Sequence, residues 1–250
     1  MQTKKGDYNV RQSNLYIILY SAAITIVCGG ALAYASQSLK PLQDANIAME
    51  QKQNILLTVM ELKEGDNVID IYKKRVKAFV VDFQGEVKPG MKPEDVIVAE
   101  QYKKPAEQRL LPVYKFVNES DSTKVEYVVL PLYGYGLWNN IFGFVALKSD
   151  LSTVQGVKFG HVGETPGLGA RITEDDIQSR YKGKTTFDSD KLISVVMQKG
   201  EGQDYSNDSH KVDGMSGATL TAKGVNNMLM DYLTCYENYL KKLKAQTASI

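Results

Sequence analysis

Apolar residues in this chain follow three rhythms. From Leu15 to Ala35 they are nearly continuous, with no charged side chain over about 21 positions, which is long enough to cross a bilayer as a helix. From Val225 they recur at helical spacing, through Met228, Leu229, Tyr232, Leu233, Tyr236, Leu240 and Leu243. That periodicity predicts a long helix with one buried face. Between these stretches, shorter segments alternate or run compactly and predict strands: Ala78–Phe83, Tyr114–Val117, Lys124–Leu132, Ile141–Lys148, Thr153–Phe159 and a buried Leu192–Met197. Short helices are predicted at Asn67–Lys77 and Ile172–Tyr181, the second with acidic residues in its first turn, as the helix dipole prefers. Leu39–Leu62 reads as a helix leaving the membrane, ended by Gly65-Asp66-Asn67. Runs of strands followed by helices imply an α+β domain with an antiparallel sheet flanked by helices.

The stretch from Gln84 to Leu111 breaks these rhythms. It is polar and lysine-rich, with Pro89, Pro93 and Pro105. It reads as a surface excursion with a short helix near Ala106–Leu110 and charges that form a solvated face.

The flanks of the first apolar run suggest its orientation. Lys4, Lys5 and Arg11 precede it, and Tyr16, Tyr20 and Tyr34 lie towards its ends. Basic residues favour the cytoplasmic side, and amphipathic rings favour the interface. A cleaved signal peptide is the competing reading, because Ala31-Leu32-Ala33 and Ala33-Tyr34-Ala35 resemble small-residue cleavage sites. The run is longer than a usual signal core and favours an uncleaved anchor. The expected plan is a cytoplasmic segment over 1–14, a transmembrane anchor over 15–35, a juxtamembrane helix over 36–64 and an extracytoplasmic domain over 65–250.

Composition narrows the chemistry. Lysine plus arginine (30) nearly balances aspartate plus glutamate (29), so the basic excess of an electrostatic nucleic-acid binder is missing. Cys28 lies in the membrane run and Cys235 in the last helix, so no disulfide framework is expected. His161 and His210 have no cysteine partners at ligand spacing, so no metal site is expected within this chain. No Gly-x-Gly-x-x-Gly opens a strand–turn–helix unit, so the chain is not expected to bind NADH itself.

The chemistry concentrates just ahead of the last helix, in Asp213-Gly-Met-Ser-Gly-Ala-Thr219. One reading is a well-capped helix, in which Asp213, Ser216 and Thr219 accept the orphan N–H groups of the first turn. The other is a phosphate site, since a helix N-terminus offers free donors and the positive end of the dipole, and Gly214 and Gly217 let the backbone approach. Two further segments stand out. Pro131–Leu147 reads as two strands joined by a glycine-rich loop that carries the only tryptophan, Trp138. It is either a long hairpin whose aromatics pack a core or a flat wall beside a planar ring. Gly160–Arg171 is a glycine-rich loop after a strand. It is either a structural turn with Glu164 and Arg171 as surface charges, or a set of backbone donors and a Thr165 hydroxyl facing a ring.

Asp213–Thr219 resembles the flavinylation motif of the FMN-binding domain family, Asp-x-x-Ser/Thr-Gly-Ala-Thr. The resemblance implies that a flavin transferase moves FMN from FAD onto Thr219 as a phosphoester. Ser216, Gly217, Ala218, Asp213 and Leu220 would form the surrounding frame, and Thr221 falls outside it. A threonine hydroxyl is a weak nucleophile without a base, and none is evident here, which suits an external transferase. The loop Glu164-Thr165-Pro166-Gly167-Leu168-Gly169 is similar to the family segment that lies against the flavin, and Trp138 would form a flat wall beside the ring. With the single anchor, the order of segments is similar to that of the C-type subunits of bacterial Na+-translocating NADH:quinone reductases. The homologous G-type subunits of the Rnf complex are the nearest alternative, and an anchored sensor domain without redox turnover is the alternative from another class. The resemblance to the C-type subunits implies a covalent FMN electron carrier in the bacterial inner membrane. It would relay electrons between neighbouring subunits from NADH towards quinone, coupled to sodium export.

Overall fold

A computed structural model describes residues 13–247. The basic segment with Lys4, Lys5 and Arg11 lies outside the described residues. The chain divides into two units, Met1–Met49 and Glu50–Ile250.

The described part of the first unit is helical. Helix α1 (Asn14–Leu57) contains a stretch long and apolar enough to cross a membrane, and that stretch is exposed throughout. Pro41 lies inside the helix without ending it, at the loss of one backbone hydrogen bond. One helix thus covers both the apolar run and the segment after it.

The second unit opens with the last turns of α1, which bury Ile55 and Leu56. The helix ends at Leu57 rather than Leu62. Val59 and Met60 N–H groups turn back to the Leu56 carbonyl, and the Thr58 hydroxyl donates to Ile55 O at 2.6 Å. Helix α2 (Val68–Arg75) is capped by Asn67, whose side chain accepts from Asp70 N, and leads directly into the sheet.

Five strands form that sheet: β1 (Val76–Val81), β2 (Leu111–Val117), β3 (Val125–Tyr135), β4 (Asn140–Lys148) and β5 (Val154–His161). They lie in chain order and every neighbouring pair is antiparallel. Successive strand residues point to opposite faces, and both faces are covered. Val128, Leu130 and Leu132 join the core under the last helix, α5 (Thr219–Thr247). Val129 points the other way, into a cluster with Ile55, Leu56, Val59, Tyr72, Phe116 and Ala146. Helix α5 buries Val225, Met228, Leu229, Tyr232, Leu233, Tyr236 and Leu240, the face that its periodicity predicts.

Three local expectations are corrected. The predicted helix Ile172–Tyr181 is a 3-10 turn, Gly169–Thr173, followed by a short helix, α4 (Asp175–Ser179), with Asp175 and Asp176 in its first turn. Leu192–Met197 is not one strand. Ser194 has φ 69°, and the N–H groups of Ile193 and Ser194 both donate to Thr186 O. The backbone therefore turns, leaving two short pairs: Phe187–Asp188 with Lys191–Leu192, and Val196–Met197 with Lys211–Val212.

The excursion from Gln84 to Leu111 is not merely solvated. It contains a short helix, α3 (Val98–Tyr102), and a 3-10 turn at Ala106–Gln108. Arg109 is buried and pairs with Asp231 of α5 at 2.6 Å. Beyond the start of β2, strand β3 runs on to Tyr135. With β4 it forms a long hairpin whose tip, residues 136–139, is closed by a Gly136 N–H bond to Asn139 O of 2.8 Å.

Candidate functional site

Three segments distant in sequence converge at the start of α5: the hairpin tip, the loop after β5 and the Asp213–Thr221 stretch that opens the helix. Their junction is Glu164, which is only 4% exposed. One carboxylate oxygen accepts from Trp138 N at 2.9 Å and Asn139 N at 3.4 Å, and the other from the Thr221 hydroxyl at 2.6 Å. Burial pushes its pKa up, but the bonds from Thr221, Trp138 and Asn139 outweigh burial and hold it below the ordinary carboxylate value. A Cβ on Gly136 would fall on Glu164 Oε1, and one on Gly169 would lie 2.6 Å from Oε2. The two glycines make room for the carboxylate. Glu164 is thus an internal tie between three segments, in contrast to the surface charge that a structural-turn reading assigns to it.

The same contact separates two nearby threonines. Thr221 is 1% exposed and spends its hydroxyl on Glu164. Thr219, the first residue of α5, is exposed. Sequence carried a signal for this difference. Thr221 lies four residues before Val225 and so continues the buried face of the helix.

The well-capped reading of the helix entrance does not describe the structure. The first backbone bond into the helix runs from Ala222 N to Ala218 O. The N–H groups of Thr219, Leu220 and Thr221 have no acceptor among the described residues. Asp213 accepts instead from Gly202 N at 2.7 Å and Gln203 N at 3.1 Å, tying the motif to the loop before it. Ala218 has no side-chain oxygen with which to cap. Gly217 turns the chain at φ 73°, a conformation that glycine adopts without strain. Three orphan donors at the positive end of a long helix suit an anion.

Sequence reasoning passed over the support beneath this turn. Glu201 accepts from Ser216 N at 3.0 Å, from both terminal nitrogens of Arg171 at 2.9 and 2.8 Å, and from Arg180 at 3.2 Å. Arg180 also donates to Gly214 O at 2.6 Å. The Arg171 bonds, with those from Ser216 and Arg180, hold the Glu201 pKa at about 2. No local pattern announces this network, because its members come from separate loops.

Around the exposed Thr219 lies an apolar rim. Trp138 is 69% exposed and Leu220 57%, and Leu137 and Leu168 are also exposed. A Cβ on Gly217 would lie 2.8 Å from Leu168 Cδ2, so the loop lies against the motif turn. Trp138 Nε1 donates to Thr165 Oγ1 at 3.1 Å, which ties the indole to the loop and leaves the hydroxyl proton available. Pro166 and Gly167 form the exposed crest of that loop. An exposed hydroxyl, an open helix N-terminus, one indole and three exposed leucines together fit a phosphate ester that carries a planar ring.

Comparison with known proteins points the same way. The FMN-binding domain family matches residues 136–234, the span that holds all three segments. The chain is 33% identical over 243 residues to the C-type subunit of the Na(+)-translocating NADH-quinone reductase of Pseudomonas aeruginosa, covering 89% of this chain and 92% of that one. It is 30% identical to the corresponding subunit of Neisseria meningitidis, over 98% of this chain and 99% of the relative. The crystal structure of the same subunit from Parabacteroides distasonis superposes with a TM-score of 0.70 at 30% identity, covering 81% of this chain and 96% of that one.

Proposed function

Since the chain belongs to the family of C-type subunits of the Na(+)-translocating NADH-quinone reductases, we propose that it carries its FMN covalently on Thr219 and passes electrons between neighbouring subunits on the way from NADH to quinone. As a family member it is an FMN-carrying subunit of an oxidoreductase complex. The observation that carries the finer reading is the contrast between two hydroxyls. Thr219 is exposed beside orphan helix N–H groups, while Thr221 is buried and bonded to Glu164.

The chemistry follows from that arrangement. An external flavin transferase supplies the activation that the chain lacks. The Thr219 hydroxyl attacks the FMN phosphorus of FAD, and AMP leaves. The N–H groups of Thr219, Leu220 and Thr221 would hold the phosphodiester, since the helix dipole there favours negative charge. Trp138, Leu137, Leu168 and Leu220 offer the apolar surface for the ring, and Thr165 offers a hydroxyl donor. Bound flavin supplies electron transfer, and the protein supplies position and electrostatics. The covalent bond would prevent loss of cofactor from an extracytoplasmic domain, where little free FMN is expected.

By the same reading, α1 crosses the bacterial inner membrane once, with the basic N-terminus in the cytoplasm and the domain from about residue 65 outside it. The lipid bilayer, the other subunits of the complex and the flavin transferase are then the partners. In cells that co-express a flavin transferase, denaturing gels viewed under ultraviolet light test the assignment. Thr221→Ala should keep the fluorescent band and Thr219→Ala should lose it. A fluorescent Thr219→Ala band would overturn the assignment.

A further inference from the structure

Glu164 has a property that its bracing role does not require. It is a buried carboxylate that takes part in no ion pair among the described residues. Its backbone N–H donates to His161 Nδ1 at 3.3 Å, a contact separate from the carboxylate. The carboxylate is satisfied by neutral donors alone: Trp138 N, Asn139 N and the Thr221 hydroxyl. A glutamine would brace the same three segments without placing a charge there. Burial usually penalises an unpaired carboxylate heavily, yet two glycines clear the space for this one.

We propose that Glu164 is a potential-setting residue, whose fixed negative charge beneath Trp138 and Thr221 makes a flavin attached at Thr219 harder to reduce. This inference rests on the covalent attachment of FMN at Thr219. Two electrons and one proton convert the oxidised ring into a reduced form that is one unit more negative. A nearby buried carboxylate raises the cost of that added charge and leaves the oxidised ring untouched. At an effective dielectric constant of ~20, unit charges about 10 Å apart shift each other's equilibria by roughly tenfold. For a two-electron couple, tenfold corresponds to about 30 mV.

The test uses the full chain, co-expressed with a flavin transferase and shown by intact mass to carry covalent flavin, followed by redox titration. Glu164→Gln keeps the shape and removes the charge. Its midpoint should rise by roughly tenfold in the equilibrium constant, about 30 mV. Thr221→Val removes a donor that draws on the charge, so its midpoint should fall. Opposite signs distinguish electrostatics from a loosened site, which would move both variants alike. A loaded Glu164→Gln protein with an unchanged midpoint, or two shifts of the same sign, would overturn the proposal. If Glu164→Gln accepts no flavin, Thr221→Val decides alone: a lower midpoint supports the proposal, and an equal or higher one overturns it. Wild-type protein without covalent flavin would remove the attachment at Thr219 and this inference with it, whereas a loaded wild type whose variants leave the midpoint unmoved would remove this inference alone.

Discussion

Two stretches of α5 are treated in opposite ways. Around Asp231–Tyr236 the helix is sealed. Arg109 reaches in from the excursion to pair with Asp231 at 2.6 Å, and its guanidinium lies 5.1 Å from the Tyr102 ring centre and 5.6 Å from that of Tyr232. The Tyr236 hydroxyl donates to Pro112 O at 2.7 Å. Burial raises the Tyr232 pKa above its ordinary value and pushes the Cys235 thiol up to about 11, so neither group ionises near neutrality. At Thr219–Leu220 the same helix is open, with orphan donors and an exposed leucine. An ordinary helix start is closed by a side-chain oxygen. Here the chain spends its polar groups one layer back, on Glu164 and Glu201, and leaves the N–H groups of the first turn open. In the function proposed above, the sealed stretch would serve stability and the open one chemistry.

Substitutions that respect this division should have separable effects. The largest effect on stability is expected at the seal. Arg109→Ala should cost about 3 kcal/mol in denaturant unfolding, through an unpaired Asp231 and lost packing on two rings. Asp231 retains some access to water, which keeps the cost at the lower end of the range for broken buried pairs. Flavin attachment in the folded fraction should be unchanged, and a loss of attachment there would blur the division.

A smaller effect is expected at the tie beneath the open end. Gly136→Ala sets a Cβ against Glu164 Oε1, and overpacking of this kind costs about 1–3 kcal/mol. The hairpin tip should shift with it, changing the emission of Trp138, the only tryptophan. An unaltered emission spectrum would show that the tip is not held by this carboxylate.

The smallest effect is a pH dependence. The bonds from Arg171, with those from Ser216 N–H and Arg180, hold the Glu201 pKa at about 2 in the folded chain, below its ordinary 4.5. Its contribution is complete above the unfolded value and is lost as pH falls through about 2. Glu201→Gln should therefore flatten the acid limb of the stability profile between those values. An identical acid limb in the variant would mean that the network contributes nothing measurable.

Sequence made the scaffold legible where one physical rule dominates. The buried face of α5 follows its apolar period from Val225 to Leu240, because burial on one side of a helix leaves that imprint. The five main strands appear within a few residues of their expected positions for the same reason. The three site segments were each visible, because the resemblance marked them and their glycines set them apart. Their convergence was not, since it depends on β3 outrunning β2 and carrying Trp138 to the start of α5. Arg109 looked like one more surface charge because its partner is a residue of the last helix. Leu192–Met197 looked like one strand because an apolar run does not reveal the positive φ of Ser194. Glu164 reads from sequence either as a loop charge or as part of the loop against the flavin, and neither reading reveals its burial, which comes from two other segments folding over it.

The central claim is the covalent phosphoester at Thr219, and intact mass followed by peptide mapping tests it most directly. Protein co-expressed with a flavin transferase and then denatured should be heavier than the bare chain by one FMN less water. The modified peptide should fragment with the added mass on Thr219. An unmodified mass, with the transferase active on a control substrate, or an adduct mapped to Thr221 or any other residue, would contradict the account.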